Sequence, residues 1–304
     1  MSDAPLVSVR ALTRRYGGTV AVGELSLDVR SGELFGMVGP DGAGKTTTLR
    51  MLAGVLPPSA GDAVIAGVSV ARDPEGVKPF TAYMAQRFGL YEDLTVRENI
   101  EFYADLYRVP RAERPARLER LYRFSALGEF EQRLAGALSG GMKQKLALSC
   151  CLIHHPRLLL LDEPTFGVDP ISRRDLWLIL HEMVAEGTTV IVSTSYLDEA
   201  ERCDRVALLH EGRALAVDSP AALQRSLAGR LVEVSTAAPR ATRDALRAHP
   251  AVQRATLFGE TVHAVLSPGA DPGVLRQAEG VHDVQPIEVS LEDVFIERVG
   301  AAGG

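Results

Sequence analysis

The sequence predicts an α/β protein: a mostly parallel sheet with an antiparallel β subdomain and a helical insertion, followed by a small α+β domain. Three observations carry this. The runs LFGMV, RLLLLDEP and TTVIVSTS are near-continuously apolar, as strands buried on both faces of a parallel sheet must be. TVRENIEFYADLYR and RAERPARLERLYRFSAL instead place apolar residues at helical spacing with charges opposite, which marks a helical insertion over about residues 89–140. After residue 228 the composition shifts toward Ala, Arg and Pro, and the order becomes strand, helix, two strands, helix, strand. That βαββαβ order suggests a ferredoxin-like unit over 229–304, with 1–228 as the main domain and LEDVFIERV adding a short last helix.

The antiparallel subdomain rests on the turn-bounded β-like runs LVSVRALTRRY, LSLDVRSGELFGMVG and SAGDAVIAGVSV. With 304 residues and 46% hydrophobic content the chain is long enough for one large domain and a smaller one. A net charge of −6 gives no broad electrostatic grip on nucleic acid, which is not expected as a partner. No apolar run approaches the roughly 20 residues that cross a bilayer, and MSDAPLVSVRALTRRYGG lacks the charged-then-apolar layout of a signal peptide. The three cysteines, Cys150, Cys151 and Cys203, have neither metal-ligand spacing nor an even count, and read as small buried hydrophobes in a reducing cytosol.

The strand LFGMV runs into Gly39-Pro40-Asp41-Gly42-Ala43-Gly44-Lys45-Thr46-Thr47, which fits G-x-x-x-x-G-K-[ST] without a gap. Glycines let backbone N–H groups turn toward phosphate oxygens, and a helix starting near Lys45 aims its positive end at the same anion. Lys45 offers a point charge to the terminal phosphates and Thr46 a hydroxyl to Mg²⁺. This strand–loop–helix context predicts a P-loop NTPase core. About 120 residues later LLLLDEP ends an apolar strand in Asp162, placed to hold the metal, and Glu163, placed as general base or water-polarising group. Asp41 is expected to face away from phosphate and brace the turn.

Between these elements, Leu138-Ser139-Gly140-Gly141-Met142 followed by a lysine-containing helix and LLLLDEP resembles the ABC-type ATPases, over roughly residues 5–225. A serine and two glycines at a helix start make a second anion cradle. The resemblance implies that Ser139, Gly140 and Gly141 cover ATP bound to another copy, in a head-to-tail dimer of like or unlike subunits. It further implies adenine stacking on Tyr16 in RRYGG, and a Mg²⁺-sensing Gln86 in YMAQRFGLYEDLTVREN that links to a membrane partner. Asp169 in FGVDP matches the loop acid that reaches the opposite site. LYEDLTVRENIEFYADLY, FGVDPISRRDLW and the terminal SLEDVFIERV look most like ATPases of drug and antibiotic-resistance exporters. The resemblance therefore implies ATP and Mg²⁺ as cofactors and an integral-membrane permease as partner. The implied place of work is the cytoplasm, peripherally on the cytoplasmic face of the cell membrane.

Two positions depart from the family pattern, and one of them is Asp41, where many relatives have Asn. VIVSTS comes one helix after the LDEP strand, so Ser193, Thr194 and Ser195 are expected beside the site. Relatives place a histidine that reaches the γ-phosphate where this chain has Ser195, which carries neither the charge nor the reach of imidazole. Three readings stay open. Hydrolysis is weakened but retained through Lys45, Mg²⁺ and Glu163, or another group has taken the role, with His154, His155 and His181 at hand in sequence but none argued to the γ-phosphate. Otherwise ATP is mostly a binding switch, or an unlike subunit supplies the histidine. A soluble ABC ATPase uncoupled from transport is a rival that the single cassette and the missing heptad run disfavour.

Overall fold

The computed structural model describes residues 4–278 and 280–302. Contacts divide the chain into two units, residues up to 217 and residues from 218. In the first, β1 (Val7–Tyr16) and β2 (Thr19–Val29) form an antiparallel pair, and β3 (Leu34–Val38) leads through the glycine loop into α1 (Lys45–Leu52). β4 (Ala60–Ile65), β5 (Val68–Ser69), α2 (Pro74–Val77) and β6 (Thr81–Met84) come next. The insertion carries α3 (Val96–Leu106) and α4 (Arg114–Ser125), and then α5 (Gly140–Leu152) returns the chain to the core. β7 (Leu158–Asp162), α6 (Pro170–Ala185), β8 (Thr189–Thr194), α7 (Leu197–Ala200), β9 (Arg205–His210) and β10 (Arg213–Asp218) complete the order.

Two sheets result: β2-β1-β4-β5, antiparallel, and β10-β9-β3-β8-β7-β6, in which β9, β3, β8, β7 and β6 run parallel. Every residue of β3, β7 and β8 is buried, which is why their sequences are continuous apolar runs rather than alternating ones. β8 lies between β3 and β7, with Val38 opposite Thr194 and Asp162 opposite Ser193. The carboxyl ends of the strand before the glycine loop and the strand before the acids are thus bridged by the hydroxyl-bearing end of VIVST. Such an edge of a parallel sheet is where α/β proteins bind ligands.

The insertion is held by the buried face of α3 (Val96, Ile100, Ala104) and by Leu118 and Leu121 of α4. α3 starts at a capping box, with Thr95 Oγ1 accepting from the Glu98 N–H and the Glu98 carboxylate accepting from the Thr95 N–H.

The second unit has α8 (Pro220–Arg225), β11 (Leu231–Thr236), α9 (Pro239–Arg247), β12 (Val252–Phe258), β13 (Thr261–Leu266), β14 (Val281–Pro286) and α10 (Leu291–Ala302). Its sheet order is β12-β13-β11-β14 with every pairing antiparallel, and Val232, Val234, Leu246, Val262, Ala264 and Val284 form its core. Two details differ from expectation. The helix read at GVLRQAEG is a 3₁₀ turn, Pro272–Gln277, entered through Asp271, whose carboxylate accepts from Gly273 N–H; Glu279 of that run lies outside the described residues. The division falls at 217/218 rather than 228/229, since α8 packs against α10 and buries Leu223.

His154, in the connection from α5 to β7, stacks on Tyr107 at 3.8 Å between ring centroids, and burial pushes its pKa down to about 4. The unfolded chain takes up that proton near pH 6.5 while the folded protein resists until about pH 4, so stability is lost as pH falls through this window. His154→Phe keeps the stack and removes the proton. The drop in denaturant midpoint between pH 7 and pH 4.5 should be smaller in the variant than in the parent.

Candidate functional site

The glycine loop is forced by close backbone approach at two positions. A Cβ on Gly39 would lie 2.2 Å from the Leu209 carbonyl oxygen, and one on Gly44, whose φ is +93°, would lie 2.6 Å from that of Ala21. The turn between them closes on a main-chain bond from Ala43 N to Pro40 O, 3.2 Å, with Gly42 at φ +80°. Lys45 is 5% exposed and curls back over the loop, its Nζ donating to Gly39 O (2.7 Å) and Pro40 O (3.1 Å). The same ammonium lies 3.2 Å from Glu163 Oε1.

The acid side is built by three hydroxyls on one carboxylate. Thr46 Oγ1 (2.9 Å) and Ser193 Oγ (2.8 Å) donate to Asp162 Oδ1, and Tyr83 OH donates to Oδ2 (3.1 Å). Burial, with the neighbouring Asp162 charge adding to it, pushes the Tyr83 phenol up to about 12 and keeps it a donor. Glu163 adopts φ +48°, a left-handed conformation uncommon outside glycine, and its N–H is held by the carbonyl (3.2 Å) and hydroxyl (3.1 Å) of Ser193. Gln86 Nε2 donates to Glu163 Oε2 at 3.1 Å. These groups open onto a cleft of about 390 Å³ lined by Ala21, residues 41–47, Gln86 and Glu163.

The structure thus brings Lys45, Thr46, Thr47, Gln86 and Glu163 to one cleft, with Asp162 bonded directly behind Thr46. It does not bring every expected residue there. Tyr16, at the end of β1, is 47% exposed with the Arg14 guanidinium over its ring at 4.7 Å, and does not line the cleft. Ser139 caps α5, accepting from Met142 N at 3.3 Å, and with Gly140 is exposed away from this cleft. Gly141 is needed for packing, since a Cβ there would meet Ser172 Oγ at 2.2 Å. Asp169 caps α6 through Ile171 N and Ser172 N, and the Ser172 N–H holds its carboxyl below the usual range. Ser195 is half-buried just beyond β8 and makes no side-chain hydrogen bond among the described residues.

Asp41 corrects an expectation. It lines the cleft, exposed and without a side-chain hydrogen bond among the described residues, because the turn closes on its own backbone and needs no side-chain brace. None of His154, His155 and His181 lines the cleft. Sequence reasoning missed Tyr83 and the double role of Ser193. The hydroxyl cluster in VIVSTS pointed to Ser193, whereas a lone tyrosine in a strand offered no comparable clue.

The residues fit a nucleotide and its metal. The loop is a concave set of N–H donors with one ammonium, and Thr46, Gln86 and Asp162 supply the oxygen donors that a hard divalent cation takes. Among the described residues no group of three or more His, Cys, Asp or Glu stands ready to hold a metal unaided.

The family model described as ABC transporter matches residues 22–166. The chain is 44% identical over 310 residues to the probable multidrug ABC transporter ATP-binding protein YbhF of Escherichia coli (strain K12), covering 100% of this chain and 53% of that protein. It therefore spans about half the length of that relative. It is 36% identical over 303 residues to the Nod factor export ATP-binding protein I of Burkholderia orbicola (strain AU 1054), covering 99% of this chain and 98% of the relative. Among solved structures, an ATP-binding subunit of an ABC transporter superposes with a TM-score of 0.66 at 32% identity, covering 73% of this chain and 92% of that one.

Proposed function

Since the chain belongs to the ABC transporter ATP-binding family, whose cassettes are ATPases, we propose that it binds and hydrolyses ATP to drive an exporter whose membrane path is a separate permease. The observation that carries this is the convergence of Lys45, Thr46, Gln86, Asp162 and Glu163 on one cleft at the carboxyl edge of a parallel sheet. The relatives' names favour export, and drugs or other small exported molecules as cargo. No described helix is long and apolar enough to cross a membrane, which agrees with a permease on another chain and with work on the cytoplasmic face.

Backbone N–H groups of residues 42–47 and Lys45 Nζ would hold the phosphates. Thr46, with Asp162 and Gln86 near it, would hold Mg²⁺, which when bound neutralises charge developing on the transferred phosphoryl group. Before ATP arrives, Lys45 and Glu163 neutralise one another. An incoming phosphate competes for the ammonium and leaves Glu163, oriented by Ser193 and Gln86, able to take a proton from water. Ser139, Gly140 and Gly141 lie outside the cleft of their own chain, which supports their covering ATP held by a second copy or an unlike subunit.

Ser195, with neither the charge nor the reach of imidazole, supports slow turnover and also the second reading, an ATP-binding switch with little hydrolysis. Steady-state hydrolysis with Mg²⁺ separates them. Glu163→Gln should bind ATP normally and lose at least about 10²-fold in kcat, while Ser195→His should equal or exceed the parent. A parent as silent as Glu163→Gln, alone and with its permease, overturns the hydrolytic reading.

Tyr83→Phe removes one of the three bonds that orient Asp162. The expected result is a several-fold higher Mg²⁺ requirement for hydrolysis with metal-free ATP affinity unchanged, read by titrating Mg²⁺ at saturating ATP.

A further inference from the structure

Glu199 is a fully buried carboxylate with no part in the hydrolysis proposed for the cleft. It sits on α7 with its side chain 2% exposed. Its Oε2 accepts from Thr165 Oγ1 at 2.8 Å and from Thr194 Oγ1 at 2.9 Å. Its Oε1 lies 3.4 Å from Arg173 Nε, and the Arg173 guanidinium covers the Tyr196 ring at 4.7 Å.

The partners belong to different segments. Thr165 opens the loop that runs from Glu163 to Asp169, the cap of α6. Thr194 is the last residue of β8, directly before Ser195, and Arg173 lies on the first turns of α6. A carboxylate taken out of water is tolerated only where partners replace its hydration; here two hydroxyls donate to Oε2, and the Arg173 guanidinium faces Oε1 as an ion pair without a hydrogen bond. A single anion therefore spans the loop after Glu163 and the strand end beside the site. Without it, among the described residues, those segments are joined near this point by the bonds between Ser193 and residues 162–163.

We infer that Glu199 is a positioning residue for hydrolysis, fixing the 164–169 loop against the end of β8. Among the described residues the Ser195 side chain makes no hydrogen bond, so beyond Ser193 the tie between strand end and acid loop runs through Thr194, Glu199 and Thr165. The effect on turnover rests on the ATPase reading, whereas the tie itself does not.

The link has two ends, and breaking either breaks it. In the full-length protein, Thr165→Val, Thr194→Val and the double variant keep β-branched shape and lose one or both hydroxyls. Hydrogen exchange read by mass spectrometry should show faster exchange at 164–169 in Thr194→Val and at 196–200 in Thr165→Val, with little change in the rest of the cassette. Residues 194–196 do not decide the matter in Thr194→Val, because Tyr196 N–H also donates to Thr194 Oγ1. Each single variant should lose about tenfold in kcat with ATP affinity within twofold of the parent, and the double should be no worse than either single. Thr165→Ser and Thr194→Ser, which retain the hydroxyl, should restore exchange and rate, and they serve as the test should a valine variant fail to bind ATP. Exchange that rises only at each variant's own segment, losses that multiply in the double, or serine variants as impaired as the valines would overturn the inference. If the parent binds ATP without hydrolysing it, the ATPase reading alone fails, and exchange still decides the link.

Discussion

Asp162 accepts hydroxyl hydrogen bonds from three segments, and the one from Ser193 exists because β8 runs between β3 and β7. With Ser193 opposite Asp162 and Thr194 opposite Val38, the middle strand places its hydroxyl end between the phosphate loop and the acid pair. Had β3 and β7 been neighbours, Thr46 and Tyr83 could still reach Asp162, but Ser193 would not lie beside it to bond both the carboxylate and the Glu163 N–H. The fully apolar character of these strands comes from the same arrangement, since helices cover the faces of the parallel sheet and leave only its carboxyl edge for polar chemistry.

The features legible in the sequence were those that backbone geometry demands outright. Gly39 and Gly44 cannot carry a Cβ where they stand, Lys45 must open a helix, and two acids must end a buried strand, so each constraint leaves a fixed residue type at a fixed spacing. Side-chain partnerships across segments left no such mark. Tyr83 is 79 residues from Asp162 and looks like any strand tyrosine until β6 pairs with β7. Asp41 was misjudged for the converse reason: aspartate often braces a turn, but here a main-chain bond and a glycine at positive φ already close it. The 3₁₀ turn at Pro272–Gln277 shows the same limit, since helical spacing over six residues does not decide between tight and regular turns.

The polar groups at this edge differ in how they are satisfied. Asp162 accepts from three neutral hydroxyls, and Glu199 accepts from two hydroxyls on one oxygen with the Arg173 guanidinium ion-paired to the other, so both are held before any ligand arrives. Lys45 and Glu163 are instead held mainly by each other and by groups that can release them, the carbonyls of the loop and the amide of Gln86. Preorganised dipoles beside exchangeable charges are what a phosphoryl-transfer site needs, because electrostatic stabilisation costs no reorganisation when its donors are already in place.

Ser193 is where rigidity and strain meet. Glu163 takes a left-handed φ that costs a non-glycine residue on the order of 1–3 kcal/mol, and such a conformation persists only where the surroundings over-determine it. Both the hydroxyl and the carbonyl of Ser193 receive the Glu163 N–H, while the same hydroxyl donates to Asp162. One residue therefore holds the strained backbone of the proposed base and the carboxylate of the proposed metal site together. A small hydroxyl is the side chain that does this: a larger group would not fit in a strand end buried on every side, and valine or alanine would neither donate to Asp162 nor accept from Glu163. Ser195, two residues on, takes no part in that arrangement.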